Sequence, residues 1–246
     1  EEAAATDQLS CGERLQLGIS RGSPEPVKAG YQFFGTPADP AEASEIARDR
    51  GVELLRALDG EGIAEPDPDQ TSQRTLLPVY PQDPSLPRRI WWGAGSTSTA
   101  VWAAQHGFNL MSSTLLLEND GRDFGDLQAS QIEAFRSAWR EAGWDWEPRV
   151  SVSRSIIPII DAETEAYFGL RAEADRHDQV GYLEGVVGRF GRSYIDSPDR
   201  LVTELRRDAA VQTADTVLVT VPNMLGVDLN TRILKSISED VRPGMG

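Results

Sequence analysis

An α/β fold built on a parallel sheet is predicted by three observations. Short apolar runs recur at about 14–19, 89–93, 108–112, 149–157 and 215–221. Segments with helical spacing of apolar residues lie between them. The runs end in turns rich in Gly, Ser and Pro. Strands that alternate with helices are joined by crossovers and therefore lie parallel, with ligands at their carboxyl ends.

In chain order, Glu1 to Leu9 reads as the last turns of a helix, stopped by Ser10 and Gly12. The first strand follows, emptying into a loop from Ser20 to Pro40 that carries Tyr31, Phe33 and Phe34. Ala41 to Leu58 has helical spacing through Ile46, Val52, Leu55 and Leu58. Residues 60–88 are rich in Pro and Asp, with one short extended piece at Thr75–Tyr80. A connection of that length is usually functional, and it is a candidate lid. Strand 89–93 and helix 98–106 come next, then strand 108–112 and an amphipathic helix from Leu127 to Ala142. Strand 149–160 leads into an insertion at 161–197, a second candidate lid. Pro198 after Ser197 starts a helix running to about 212, and strand 215–221 and a helix at about 228–241 complete the chain.

Composition sets limits. The net charge of −15 and the absence of any Lys/Arg cluster clear of acids argue against a nucleic-acid surface. No run approaches the roughly 18–20 apolar residues of a membrane span, and a cytoplasmic location is expected. One cysteine, Cys11, excludes an internal disulfide and a Cys-based zinc site. No metal is expected. His106 ends a helix before Gly107, a favourable place for a cation at the helix C-terminus. His177 reads as a solvated loop residue beside Asp175 and Asp178. Trp91 and Trp92 are neighbours on a strand, so one faces the sheet interior and the other packs under a helix.

The stretch with most chemical content is Arg89-Ile90-Trp91-Trp92-Gly93-Ala94-Gly95-Ser96-Thr97-Ser98-Thr99, continuing to Gly107. A buried strand enters a Gly-rich turn, and a helix begins in hydroxyl residues. Backbone N–H groups and the positive helix end converge there, which suits a phosphate. Gly93 and Gly95 allow positive φ and a close approach of backbone to the anion. Ser96, Ser98 and Thr99 can cap the helix or donate hydroxyls. Near the start, Ser20-Arg21-Gly22 closes a second strand with a permanent cation.

The segment Leu9-Ser10-Cys11-Gly12-Glu13-Arg14-Leu15-Gln16-Leu17-Gly18-Ile19-Ser20-Arg21-Gly22 resembles the fourth-strand signature of bacterial luciferase-like flavin monooxygenases. Ile90–Gly107 resembles their fifth strand, phosphate turn and following helix; 149–156 and 215–222 resemble their last two strands. The resemblance runs from about residue 1 to 243 and implies an eight-stranded (β/α) barrel of which about five strands are present. Residues 1–246 then form one luciferase-like domain lacking its N-terminal three strands, with open sheet edges and an uncovered interior.

By this resemblance Arg21 grips the flavin phosphate, with Gly22 beside it. Ala94, Gly95, Ser96 and Thr99 form the phosphate turn. Ser20 lies under the flavin ring and Ser113 faces it. The catalytic residues belong to the early strands and are unknown here. The implied activity is oxygenation of a small organic substrate by reduced FMN and O₂. A separate flavin reductase would supply the reduced cofactor, and the full-length protein would be a homodimer. The same fold hosts hydride transfer with an 8-hydroxy-5-deazaflavin coenzyme, and a non-catalytic flavin-binding protein is a third reading.

Overall fold

The chain opens with helix α1 (Glu2–Leu9), strand β1 (Leu17–Ile19) and helix α2 (Pro40–Leu58). Two short strands follow, β2 (Gly62–Ala64) and β3 (Leu77–Pro78), then β4 (Ile90–Ala94), α3 (Thr97–Gln105), β5 (Asn109–Ser112) and β6 (Leu115–Leu116). Helix α4 (Phe124–Ala142) leads to the long strand β7 (Val150–Pro158) and to α5 (Ala162–Ala174). The last third holds β8 (Gln179–Leu183), β9 (Val186–Phe190), β10 (Tyr194–Asp196), α6 (Pro198–Leu205), α7 (Ala209–Thr213), β11 (Thr216–Thr220) and α8 (Gly226–Ser236). This computed structural model describes residues 1–20, 39–183, 186–222 and 225–246.

Strands β1, β4, β5, β7 and β11 lie side by side in chain order, each parallel to the next. They form a curled parallel half-barrel, the five strands expected from the sequence. Among the described residues, β1 pairs only with β4 and β11 only with β7. The core lies between the sheet and its helices. Ile90, Trp92, Ala94, Leu110, Val150 and Val152 meet Ala100, Ala103, Ile132 and Phe135 there, all buried. Trp92 packs against Trp102 and Phe108 at centroid distances of 4.7 and 5.3 Å. Trp91 points to the other face, where its indole N–H donates to Gln16 Oε1 at 2.8 Å. The two tryptophans divide as the strand's alternation requires.

Four departures from the sequence reading have local causes. Strand β1 is shorter than 14–19 because the Asp7 carboxylate takes the N–H groups of Glu13, Arg14 and Leu15, and Arg89 donates to the Leu15 carbonyl. In the 60–88 connection the extended piece expected at Thr75–Tyr80 supplies β3, and the departure is its short antiparallel partner β2. The 161–197 insertion is ordered into α5, a β8–β9 hairpin that pairs with β6, and β10, which adds to the upper end of β7. The helix expected to run from 198 to 212 is split, because Asp208 caps a second helix through Ala210 N–H and Val211 N–H. The same carboxylate also accepts from Arg154 Nε at 2.8 Å, from Arg154 Nη2 at 3.0 Å and from the Tyr194 hydroxyl, all buried.

Candidate functional site

Helix α3 begins on Ser96, whose backbone is extended and whose Oγ accepts from Thr99 N–H. Ser96 Oγ also lies 3.1 Å from Ser98 Oγ and donates to Thr99 Oγ1 at 3.0 Å. Three hydroxyls thus cluster on the first turn. A cation joins them: Arg48 on α2 donates from Nη2 to Thr99 Oγ1 at 3.1 Å and lies over the Trp102 ring at 5.5 Å. Among the described residues Arg48 forms no ion pair, and the Ser98 N–H has no partner. One acid shares the turn. Glu118 accepts from Thr97 N–H at 2.7 Å and from the Thr97 hydroxyl at 2.8 Å.

This turn borders a pocket of about 660 Å³ at the carboxyl ends of the strands, a size suited to a small molecule or cofactor. Ser44, Arg48, Ser96, Ser98 and Thr99 line it beside the turn, and Ser20, Met111, Ser113, Ser153 and Leu218 line it toward the sheet's open face. Gly93 and Gly95 do not take the positive φ that glycine allows. Their contribution is space. A Cβ on Gly93 would stand 3.1 Å from Ser20 Cβ, and one on Gly95 would stand 3.3 Å from the Leu115 carbonyl oxygen.

The structure therefore brings together Ser20, Gly95, Ser96, Thr99 and Ser113 from the predicted set. Ser113 has a second employment, since its Oγ accepts from Leu115 N–H at 3.2 Å. Ala94 stands apart from the pocket wall. Its side chain is fully buried in the helix-facing core and its carbonyl accepts from Ser113 N–H, so it fixes the turn from behind. Arg21 and Gly22, like Tyr31, Phe33 and Phe34, lie outside the described residues. His106 caps the end of α3, with Nδ1 2.8 Å from the Trp102 carbonyl oxygen. Among the described residues no cluster of three His, Cys, Asp or Glu is placed to hold a metal, and no helix is long and apolar enough to cross a membrane.

Sequence reasoning missed Arg48 and Ser44. The available signal was their spacing of four with Gly51 one turn further, which puts all three on one side of α2. A Cβ on Gly51 would stand 2.6 Å from the Trp92 ring, so this side is the one that lies on β4.

The arrangement can hold an anion: a helix start offers an N–H and hydroxyls, and a guanidinium that forms no ion pair among the described residues faces the same pocket. No family model matches the chain. A curated relative, the alkanal monooxygenase alpha chain of Photorhabdus luminescens, is 30% identical over 147 residues, which are 59% of this chain and 36% of that protein. Over that stretch the chain is similar to this monooxygenase. Two solved structures share the fold of this chain over 99% of its length. They are monooxygenase RslO1 from Streptomyces bottropensis (TM-score 0.67, 18% identity, 72% of that chain) and the coenzyme F420-dependent tetrahydromethanopterin reductase from Methanopyrus kandleri (TM-score 0.56, 14% identity, 78% of that chain). The chain spans about a third of the length of the curated relative it matches.

Proposed function

We propose that this luciferase-like chain carries the phosphate-holding side of a flavin site, and that the protein uses reduced FMN and O₂ to oxygenate a small organic substrate. The observation that supports this most directly is the α3 turn. It combines an N–H without a partner among the described residues, three hydroxyls and Arg48 at the mouth of a parallel sheet. Those donors fit a phosphate, and a Cβ on Gly95 would sit tightly, 3.3 Å from the Leu115 carbonyl oxygen. Bound reduced flavin would supply the electrons for activating O₂. The chain's own part is to hold and screen.

Arg48, Ser96, Ser98 and Thr99 fix the phosphate, with Arg21 and Gly22 added by resemblance. Ser20 and Ser113 border the space for the ring and orient it. The insertion 161–197 and the connection 60–88 exclude water as lids. A flavin reductase as electron source, a homodimer and a cytoplasmic location complete the reading.

A deazaflavin coenzyme serving hydride transfer is the second reading, favoured by the shared fold of the F420-dependent reductase. The α3 turn would hold either phosphate. A non-catalytic flavin carrier is the third. Titration with oxidised FMN, reduced FMN and the deazaflavin separates them, with Arg48→Ala and Arg21→Ala as controls. Preference for reduced FMN, weakened by both changes, supports the monooxygenase. Preference for the deazaflavin converts the reaction to hydride transfer. Tight binding of both FMN redox states without turnover of O₂ points to the carrier. Binding unaffected by Arg48→Ala removes the site.

A further inference from the structure

Leu115 is held between two glycines. Its carbonyl oxygen is 3.3 Å from where a Cβ on Gly95 would stand, and its Cδ1 is 2.6 Å from where a Cβ on Gly188 would stand. The first contact is with backbone and the second with a side chain.

The backbone on either side of Leu115 is pinned. Leu117 N–H donates to the Gly95 carbonyl at 2.8 Å, and Ser113 N–H donates to the Ala94 carbonyl at 3.0 Å. Strand β6 is also paired with β9 through Leu115 and Phe190, and through Leu116 and Arg189. A segment held this way cannot retreat as a unit. Anything that fills the space over Gly188 must therefore turn the Leu115 side chain, and Leu115 lines the pocket.

Gly188 does not need to be glycine for its backbone, since its φ is not positive. Glycine inside a strand weakens it and often marks a close approach. Here what approaches is Leu115. A natural control sits opposite. Gly181 pairs with Gly188 across the hairpin, on the same face. The side chain over Gly181 is Phe190, 3.2 Å from the Cβ position. Phe190 does not line the pocket and is 37% exposed, so it can swing into solvent.

We infer that Gly188 is a specificity-determining position: by lacking a side chain it lets Leu115 lie back on the hairpin, and so sets the depth of the pocket beside the anion turn. The ligand it admits is one with an anionic end at α3 and a bulky apolar body against Leu115. The choice of FMN as that ligand rests on the function proposed above; the steric relation of Gly188 to Leu115 does not.

The test is a mutant cycle of Gly188→Val, Leu115→Ala and the double variant, with Gly181→Val as control. Valine suits a strand, so the hairpin itself is not weakened. Binding of FMN is read by flavin fluorescence, and folding by thermal melting. Gly188→Val is expected to weaken binding about tenfold or more, and Gly181→Val by less than about twofold. Leu115→Ala is expected to rescue Gly188→Val to within about threefold of Leu115→Ala alone. If Gly188→Val does not fold, Gly188→Ala replaces it in the cycle. A wild-type chain that fails to bind FMN defeats the flavin reading alone. The same cycle is then read with anilinonaphthalene sulfonate, an apolar fluorescent anion, on the same criteria. The inference is overturned if Leu115→Ala gives no rescue, if Gly181→Val weakens binding as much as Gly188→Val, or if neither probe separates Gly188→Val from wild type.

Discussion

Arg154 and Arg48 both stand in this half-barrel, and their surroundings differ in kind. Arg154 is buried on β7, where the Asp208 carboxylate takes two of its N–H groups and the Ser153 carbonyl takes a third. Its charge is matched by one acid within the fold. Arg48 is half-buried at the pocket, touches a hydroxyl and an indole, and among the described residues forms no ion pair. A folded chain can bury an arginine cheaply only when a counter-charge and hydrogen bonds come with it. The first arginine has met that demand internally and is a structural part. On the function proposed above, the second keeps its charge for an anion that arrives from outside.

The sharpest way to break the comparison is at Asp208. Asp208→Ala should destabilise the chain by about 3–5 kcal/mol, the usual cost of stranding one member of a buried pair, measured by urea unfolding. The pH dependence carries the same signature on two sides. Burial alone would raise the Asp208 pKa, but Arg154 and the Tyr194 hydroxyl outweigh it and hold it below the ordinary carboxylate value. A carboxyl depressed in the fold contributes stability that is complete above its unfolded pKa of about 4 and is lost as pH falls through the folded value. Tyr194 moves oppositely. Burial, the Asp208 charge and the hydrogen bond to Asp208 push its phenol up to about 12. Its contribution is full below the unfolded value near 10 and is lost as pH rises toward 12. Tyr194→Phe should flatten the alkaline limb and shrink the acid limb without abolishing it, since Asp208 loses one hydrogen bond that holds its pKa down and keeps Arg154.

Arg48→Ala should do the reverse of Asp208→Ala, with little effect on melting and a large effect on binding. A hydrogen bond from a charged group contributes about 1.5–3 kcal/mol, which is roughly a 10- to 150-fold loss of FMN affinity. The affinity that remains should depend less on ionic strength. Equal losses of stability and binding would put Arg48 in the same class as Arg154.

Ser96→Ala tests whether the turn belongs to both classes. Its Oγ caps α3 and also joins the hydroxyl cluster. Loss of a cap costs about 1 kcal/mol of stability. Binding should fall by about a further fivefold, a loss of the same order, as one hydroxyl donor goes. Ser98→Ala, which removes a hydroxyl without removing the cap, should lower binding alone.

These sites were not equally legible. The apolar runs at Ile90–Ala94 and Val150–Pro158 and the Gly95–Ser96 turn show in the sequence because periodicity and turn chemistry are local. Asp208 carried a local signal too, an acidic cap ahead of Ala209-Ala210, but the charged run Arg206-Arg207-Asp208 continued a plausible helix and hid the break. Arg48 was illegible for a different reason. Its role depends on α2 lying against β4 and α3, a contact across 51 residues that no window of sequence contains. Strands β2 and β10 have only three residues each, too few for an alternation to register, whereas β3 falls within the extended piece read at Thr75–Tyr80. The shortening of β1 by Asp7 likewise needed a side chain from the preceding helix.

The smallest effect sharpens the comparison most finely, because it concerns the one acid at the anion turn. Glu118 holds Thr97 through its N–H and its hydroxyl, so it occupies part of the helix start with a negative charge. It is not in contact with Arg48 and does not line the pocket, so it does not neutralise the site as Asp208 neutralises Arg154. It does oppose an incoming anion through space. Glu118→Gln keeps an oxygen for Thr97 N–H, and the Thr97 hydroxyl can turn to accept from the amide. The turn should therefore keep its shape while losing one charge. A charge at a helix N-terminus counts for about 0.3–1 kcal/mol, so FMN and inorganic phosphate should both bind roughly two- to fivefold more tightly at low salt. At high salt the gain should vanish. Tighter binding of phosphate would show that the chain tempers its own anion site. Weaker binding would show that Glu118 is to this turn what Asp208 is to Arg154, a counter-charge the fold depends on.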